Sequence, residues 1–287
     1  MTNTIRFATT LALACLAIVL PCSAQESIAL KCAALTESSG IAVSTLDPNI
    51  VWTHNDSGDK PRLFAFTRTG DWVAEVTLVG IRANDWEDMC SFQRDGKHYL
   101  AIGDVGDNSA GRSSVDILLI EEPILGNTPS ELKKLEVSAL SRINVRYEGG
   151  AVDCEALAYD SIHNQFILLS KEKLRCCLYT FPCELSARGI RNAQARKQHT
   201  FFLPMITGGD ISPDGQQLVL TTYGPACIVH RNQDTTWNTT QLLTVQLPAR
   251  RQGESICFAD DGKTFLVTSE FAPTPMWSLE IAKLRKE

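Results

Sequence analysis

The chain has 287 residues, 44% of them hydrophobic, which is enough for one large globular domain or two small ones. Its net charge of −6, with no basic patch, excludes nucleic acid as a partner.

The first six residues carry one positive charge, and residues 7–20 are apolar. That run falls short of the ~18 residues a membrane-spanning helix needs. Pro21 and the small residues of Cys22-Ser23-Ala24 follow. The pattern predicts a signal peptide over residues 1–24, cut after Ala24, with residues 25–287 forming one exported domain. A secreted or periplasmic protein with no membrane span after cleavage is expected. Eight cysteines then remain. Export permits disulfides, and Cys176, Cys177 and Cys183, which fall in one hairpin, are the best candidates. Cys90 and Cys257 read equally well as small buried hydrophobes. No Cys/His spacing suits zinc.

One pattern then recurs along the chain: an acid, a short apolar strand, a turn, a second apolar strand and a closing polar group. It begins at Glu37, Glu87, Glu155, Asp210 and Glu254, and the turns include Asp95-Gly96, Asp214-Gly215 and Asp261-Gly262. Each copy reads as a β-hairpin. In regular register the opening acid and the closing polar residue share one hairpin end, with Glu87 opposite Asp104 and Glu254 beside Glu270. Spacings of 50, 68, 55 and 44 residues between the acids match a repeat architecture of propeller blades. The expected fold is therefore all-β: a β-propeller of five blades by repeat count, or six if one repeat has degenerated. A β-sandwich also has many short strands, but it does not explain an acid returning at one hairpin end. The last repeat has three obvious strands, so residues 28–35 are expected to supply the fourth and close the ring. Residues 127–139 read as a surface insertion, with Thr128-Pro129-Ser130 capping a short helix. Residues 184–198 read as a polar loop or outer hairpin.

The stretch Ile211-Ser-Pro-Asp-Gly-Gln-Gln-Leu-Val-Leu-Thr221 resembles the repeat of TolB-type propellers. The inward acids resemble the calcium-dependent propeller hydrolases of the gluconolactonase and paraoxonase group, and the esterase-like and alkaline-phytase propellers. That resemblance implies Ca²⁺ at one channel mouth. The Asn ligands that the lactonase group takes from middle blades are not matched, because Glu155 and Asp210 stand there instead.

First strands of propeller blades line the central channel, so the five acids would converge. Two carboxylates ~6 Å apart repel by about 3 kcal/mol at an effective dielectric near 20. They must bind a cation, share protons or accept hydrogen bonds, and Lys171 would neutralise one. Oxygen ligands suit Ca²⁺. The candidate metal ligands are Glu37, Asp56, Asp85, Glu87, Glu155, Asp210 and Glu254. The repeated Asp-x-Gly-Asp of Asp56–Asp59 and Asp104–Asp107 adds acids at the same mouth, or forms Asx turns. In Asn84-Asp85-Trp86-Glu87-Asp88, Trp86 is expected between blades and Asp88 in solvent. Candidate bases that would activate water are His54, Asp104 and Asp107. No nucleophile elbow, zincin helix, P-loop or Rossmann fingerprint is present.

Two function classes follow. One is an exported, monomeric, Ca²⁺-binding hydrolase of a small ester, lactone or phosphoester. The other is a non-catalytic propeller that binds an exported protein or a glycan.

Overall fold

The computed structural model describes residues 19–20, 22–24, 27–126, 131–185 and 188–281. They form strands and turns, with no helix among them. Five antiparallel meanders follow one another. Their innermost strands are Ser38–Val43, Trp86–Arg94, Cys154–Asp160, Ile206–Ile211 and Ile256–Phe258. Each of these pairs with the next strand in sequence, and so on outward. Turn residues set the hairpin ends: Gly96, Gly215 and Gly262 all have positive φ, which a glycine adopts without a Cβ clash.

Side chains alternate across a strand, so each strand feeds two apolar layers. Trp52 and Ala65 pack toward the second meander with Trp86, Met89 and Ile102. Val51, Phe64 and Phe66 pack toward the fifth with Cys257, Leu266 and Met276. Equivalent layers join the second to the third, the third to the fourth and the fourth to the fifth. The layers form a closed ring, and the molecule is a β-propeller. Ile28–Ala29 pairs antiparallel with the strand Pro275–Ile281, tying the chain's beginning to the last meander. This segment is shorter than residues 28–35, because Leu30, Cys32 and Leu35 turn inward to fill the layer between fifth and first meanders. Val19–Leu20 and Cys22–Ala24, inside the stretch the sequence assigns to a signal peptide, add short edge strands.

Two outer segments differ from expectation. Residues 127–130 lie outside the described residues, but Lys133–Ser138 is a strand, parallel to Trp72–Val79, with alternating exposure that a helix would not show. The polar stretch expected as a loop or outer hairpin is largely one strand, Gly189–Phe201. Its first half runs parallel to Ser141–Tyr147 and its second half antiparallel to Cys176–Pro182. Second and third meanders thereby merge into one eight-stranded sheet.

The eight cysteines from Cys32 to Cys257 are all buried and unpaired. Adjacent residues on a strand face opposite ways. Cys176 therefore lies in the layer facing the fourth meander and Cys177 in the layer facing the second. Cys183 shares a layer with Cys177 but stands six residues along, ~20 Å at strand rise. No disulfide joins these three.

A carboxylate staples the inner ring. Asp88 is fully buried, against the expectation of a solvent-facing acid. Its Oδ2 accepts hydrogen bonds from Leu157 N (3.0 Å) and Gly209 N (3.3 Å), and its Oδ1 from Met89 N (2.8 Å). One side chain thus links the second, third and fourth inner strands. Trp86 packs between first and second meanders, edge-on to His54 with ring centroids 5.4 Å apart.

Candidate metal centre at the acidic mouth

Inner hairpins share an irregularity that regular register does not anticipate. Pairing shifts between Trp86 and Asp88, between Cys154 and Ala156, and between Ile206 and Gly208. Each shift is a β-bulge, which re-aims the extra residue. The bulged residues are Glu87, Glu155 and Thr207. Two acids are thereby turned into the channel mouth, and the fourth meander presents a threonine there.

Glu87 is 4% exposed, and no donor among the described residues bonds its carboxylate. One ligand oxygen each from Asp56, Asp85 and Glu87 lies within 4.8 Å of the others. Gly106 makes this approach feasible: a Cβ there would land on Glu87 Oε1 and 2.5 Å from Asp85 Oδ2. Burial, with the charges of Glu155, Asp56 and Asp85, pushes the Glu87 carboxyl far above its usual range. Burial and the Asp56 charge raise Asp85 to about 6. Burial also raises Asp56.

Around this cluster stand further acids and one lysine. Glu155 Oε1 accepts a 2.8 Å ion pair from Lys171, whose ammonium also lies 5.3 Å from the Tyr223 ring centroid. Burial lifts Glu155 to about 7, against the pull of Lys171. Glu254, 5% exposed, is raised to about 8, by burial first. Lys171 acts on Asp56, Glu87, Glu155, Glu254 and Glu270 alike, so one cation faces five carboxylates.

No protein-family model matches the chain, and no curated protein does. Among solved structures, it is similar to the PQQ-bound aldose sugar dehydrogenase of Streptomyces coelicolor, with 9% identity and TM-score 0.49 over 91% of this chain and 98% of that one. A putative 6-phosphogluconolactonase from Bacteroides uniformis shows 13% identity and TM-score 0.46, over 89% and 71%. The Dos1 propeller shows 9% identity and TM-score 0.41, over 84% and 67%. Such similarities are of fold alone. The propeller assignment rests on the strand order and the closed ring of apolar layers.

The remaining residues singled out in the sequence are distributed differently. Glu37 is exposed beside the mouth, its carbonyl accepting from Asp56 N. Asp210 is not at the mouth. It stands near the opposite end of its inner strand, paired with Val219, and its Oδ2 accepts from Phe258 N at 2.9 Å. The Asp-Gly turn invited a count that placed Asp210 first, but the strand begins four residues earlier, at Ile206.

Asp104 accepts from Asn84 N and Asp85 N and pairs with Arg112 at 2.8 Å. Asp107 accepts from Gly111 N and Arg112 N. Both carboxylates hold the loop that carries Gly106, and neither stands free as a base. His54 is fully buried with Nδ1 against the Asn55 carbonyl oxygen (2.9 Å), and burial lowers its pKa to about 4. Asp59 pairs with Arg62 rather than with the cluster. Of the two Asp-x-Gly-Asp copies, Asp56 contributes a carboxylate to the cluster, while Gly106 contributes room.

Proposed function

We propose that Asp56, Asp85 and Glu87 bind a divalent cation, best Ca²⁺, and that this exported propeller uses it to hydrolyse an ester-type bond in a small molecule. The carrying observation is the Glu87 carboxylate, buried without a hydrogen-bond donor and facing two more carboxylates across at most 4.8 Å. A pair of oxygens held at ~2.4 Å by one Ca²⁺ is at most ~4.8 Å apart and three evenly spaced ones ~4.2 Å, so the cluster is close to the size one ion takes and small side-chain rotations would close it. Mg²⁺, at ~2.1 Å, would draw three such oxygens in to ~3.6 Å, a larger closure. The ion's remaining positions would take water or substrate oxygen, and the cation would polarise a carbonyl or phosphoryl group. Glu155, next to the cluster and with a pKa near 7, is the residue placed to take a proton from the attacking water. Lys171 would hold Glu155 in position and attract an anionic substrate.

The test is a thermal melt of residues 25–287 in EDTA and then in Ca²⁺, followed by aryl ester, lactone and phosphomonoester assays. A ligand at a hundredfold excess over Kd adds about 2.7 kcal/mol, several degrees for a domain of this size. Absence of any Ca²⁺-dependent shift rejects the metal site. A shift without hydrolysis of any of these bonds leaves the ion structural and the protein a binding module for an exported protein or glycan.

A further inference from the structure

The channel has a second end, where the inner hairpins turn. A cavity of ≈390 Å³ opens there, lined by residues from all five inner strands or their turns. That is within the range of small-molecule sites. Its walls are mixed: Val43, Phe92, Tyr159 and Phe258 give apolar and aromatic faces, and Ser44, Thr45, Ser91, Ser161 and Ser212 bring hydroxyls between them. Phe92 and Tyr159 stack with centroids 4.0 Å apart and form one aromatic block in the wall. No Lys, Arg or His lines the cavity.

Asp210 supplies a carboxylate to this wall. Its Oδ1 accepts from Ile211 N at 2.8 Å and its Oδ2 from Phe258 N at 2.9 Å. Two backbone N–H groups occupy two of the roughly four lone-pair directions of a carboxylate, leaving acceptor capacity on both oxygens. The second acid of the lining, Asp260, is held at the rim by Arg68 at 2.7 Å. A carboxylate beside aromatic rings and neutral hydroxyls, with no basic side chain in the lining, selects a cation with an apolar body.

We propose that this cavity is a binding site for organic ammonium compounds. The ammonium would donate to Asp210 while the apolar body packs against the Phe92–Tyr159 stack. The site is separate from the acidic mouth and independent of whether that mouth holds a metal.

The probe is 2-phenylethylamine, titrated calorimetrically into residues 25–287 at pH 8 with Ca²⁺ present, alongside its neutral counterpart 2-phenylethanol. The expected result is saturable binding of the amine at least tenfold tighter than of the alcohol, a difference of about 1.4 kcal/mol. Asp210→Asn should weaken the amine at least tenfold and leave the alcohol unchanged. Gln93→Lys, at an exposed lining position, introduces a like charge without touching the core and should weaken the amine severalfold. Glu87→Gln should leave amine binding unchanged, which separates this site from the mouth. The proposal is overturned if the amine shows no saturable binding, if the alcohol binds as tightly, or if Glu87→Gln removes amine binding while Gln93→Lys does not.

Discussion

Replacing Asp88 tests whether one carboxylate holds three inner strands together. In Asp88→Ala the amides of Met89, Leu157 and Gly209 lose their acceptor in a fully buried place. An unsatisfied buried donor costs roughly 1–3 kcal/mol. Gly209 N, at 3.3 Å, belongs at the low end of that range. The sum is about 4 kcal/mol, offset in part because the variant no longer desolvates a carboxyl group, whose pKa burial raises well above its usual range. At ~2–4 °C per kcal/mol for a chain of this size, the melting temperature should fall by about 10 °C. Asp88→Asn keeps one acceptor oxygen and should lose about half as much. The assay is urea unfolding of all three proteins, with the midpoint and slope compared. A midpoint within error of the parent protein in both variants would refute the staple. It would mean that the apolar layers alone position these strands.

Five further outcomes are expected. Glu87→Gln should raise stability in EDTA, because folding no longer has to protonate a buried carboxylate, yet abolish the Ca²⁺-induced shift; melts with and without the ion read both effects. Gly106→Ala should weaken Ca²⁺ at least tenfold with little change in the EDTA melt, because its Cβ displaces Glu87 and Asp85. The pH dependence follows from raised carboxyl pKa values. Asp85 near 6, Glu155 near 7 and Glu254 near 8 bind protons in the folded state that the unfolded chain has released. Metal-free protein should therefore lose stability as pH rises from about 4 to 8, and a flat profile there would reject the shifts. Ca²⁺ should bind with proton release, measurable as buffer-dependent heat. Finally, thiol titration of residues 25–287 should find all eight cysteines reactive in denaturant and few in the native protein, since all eight are buried and unpaired.

Much of the architecture could be read from local signals. Apolar runs, Asp-Gly turns and returning acids located the inner hairpins, because strand period and turn chemistry are properties of a few adjacent residues. The bulges were not legible. A bulge inserts one residue without a composition of its own, and a count along regular hairpins passes over it. That is why Asp210 was expected among the acids, whereas Thr207 holds the corresponding bulge. Asp88 was hidden for a different reason. Two of its three partners are backbone amides 69 and 121 residues away, and an amide has no identity in sequence. Loop acids such as Asp104 and Asp107 carry the same letters whether they bind an ion or cap a turn. Only Arg112, which reaches back to Asp104, separates the two readings.

The long strand Gly189–Phe201 has a mechanical consequence. By pairing with the outer edges of two neighbouring meanders, it joins the inner strands that carry Glu87 and Glu155 into one sheet. That sector should deform as a unit. Compliance is left to the opposite arc, where the fifth meander has an inner strand of three residues and an outer strand borrowed from the chain's start. Any breathing of the channel would open along that seam, beside Glu254, while the Asp85–Glu87 half of the mouth keeps its shape. Hydrogen exchange should map this asymmetry, with slow amides across residues 141–147 and 190–195 and faster ones around residues 252–258.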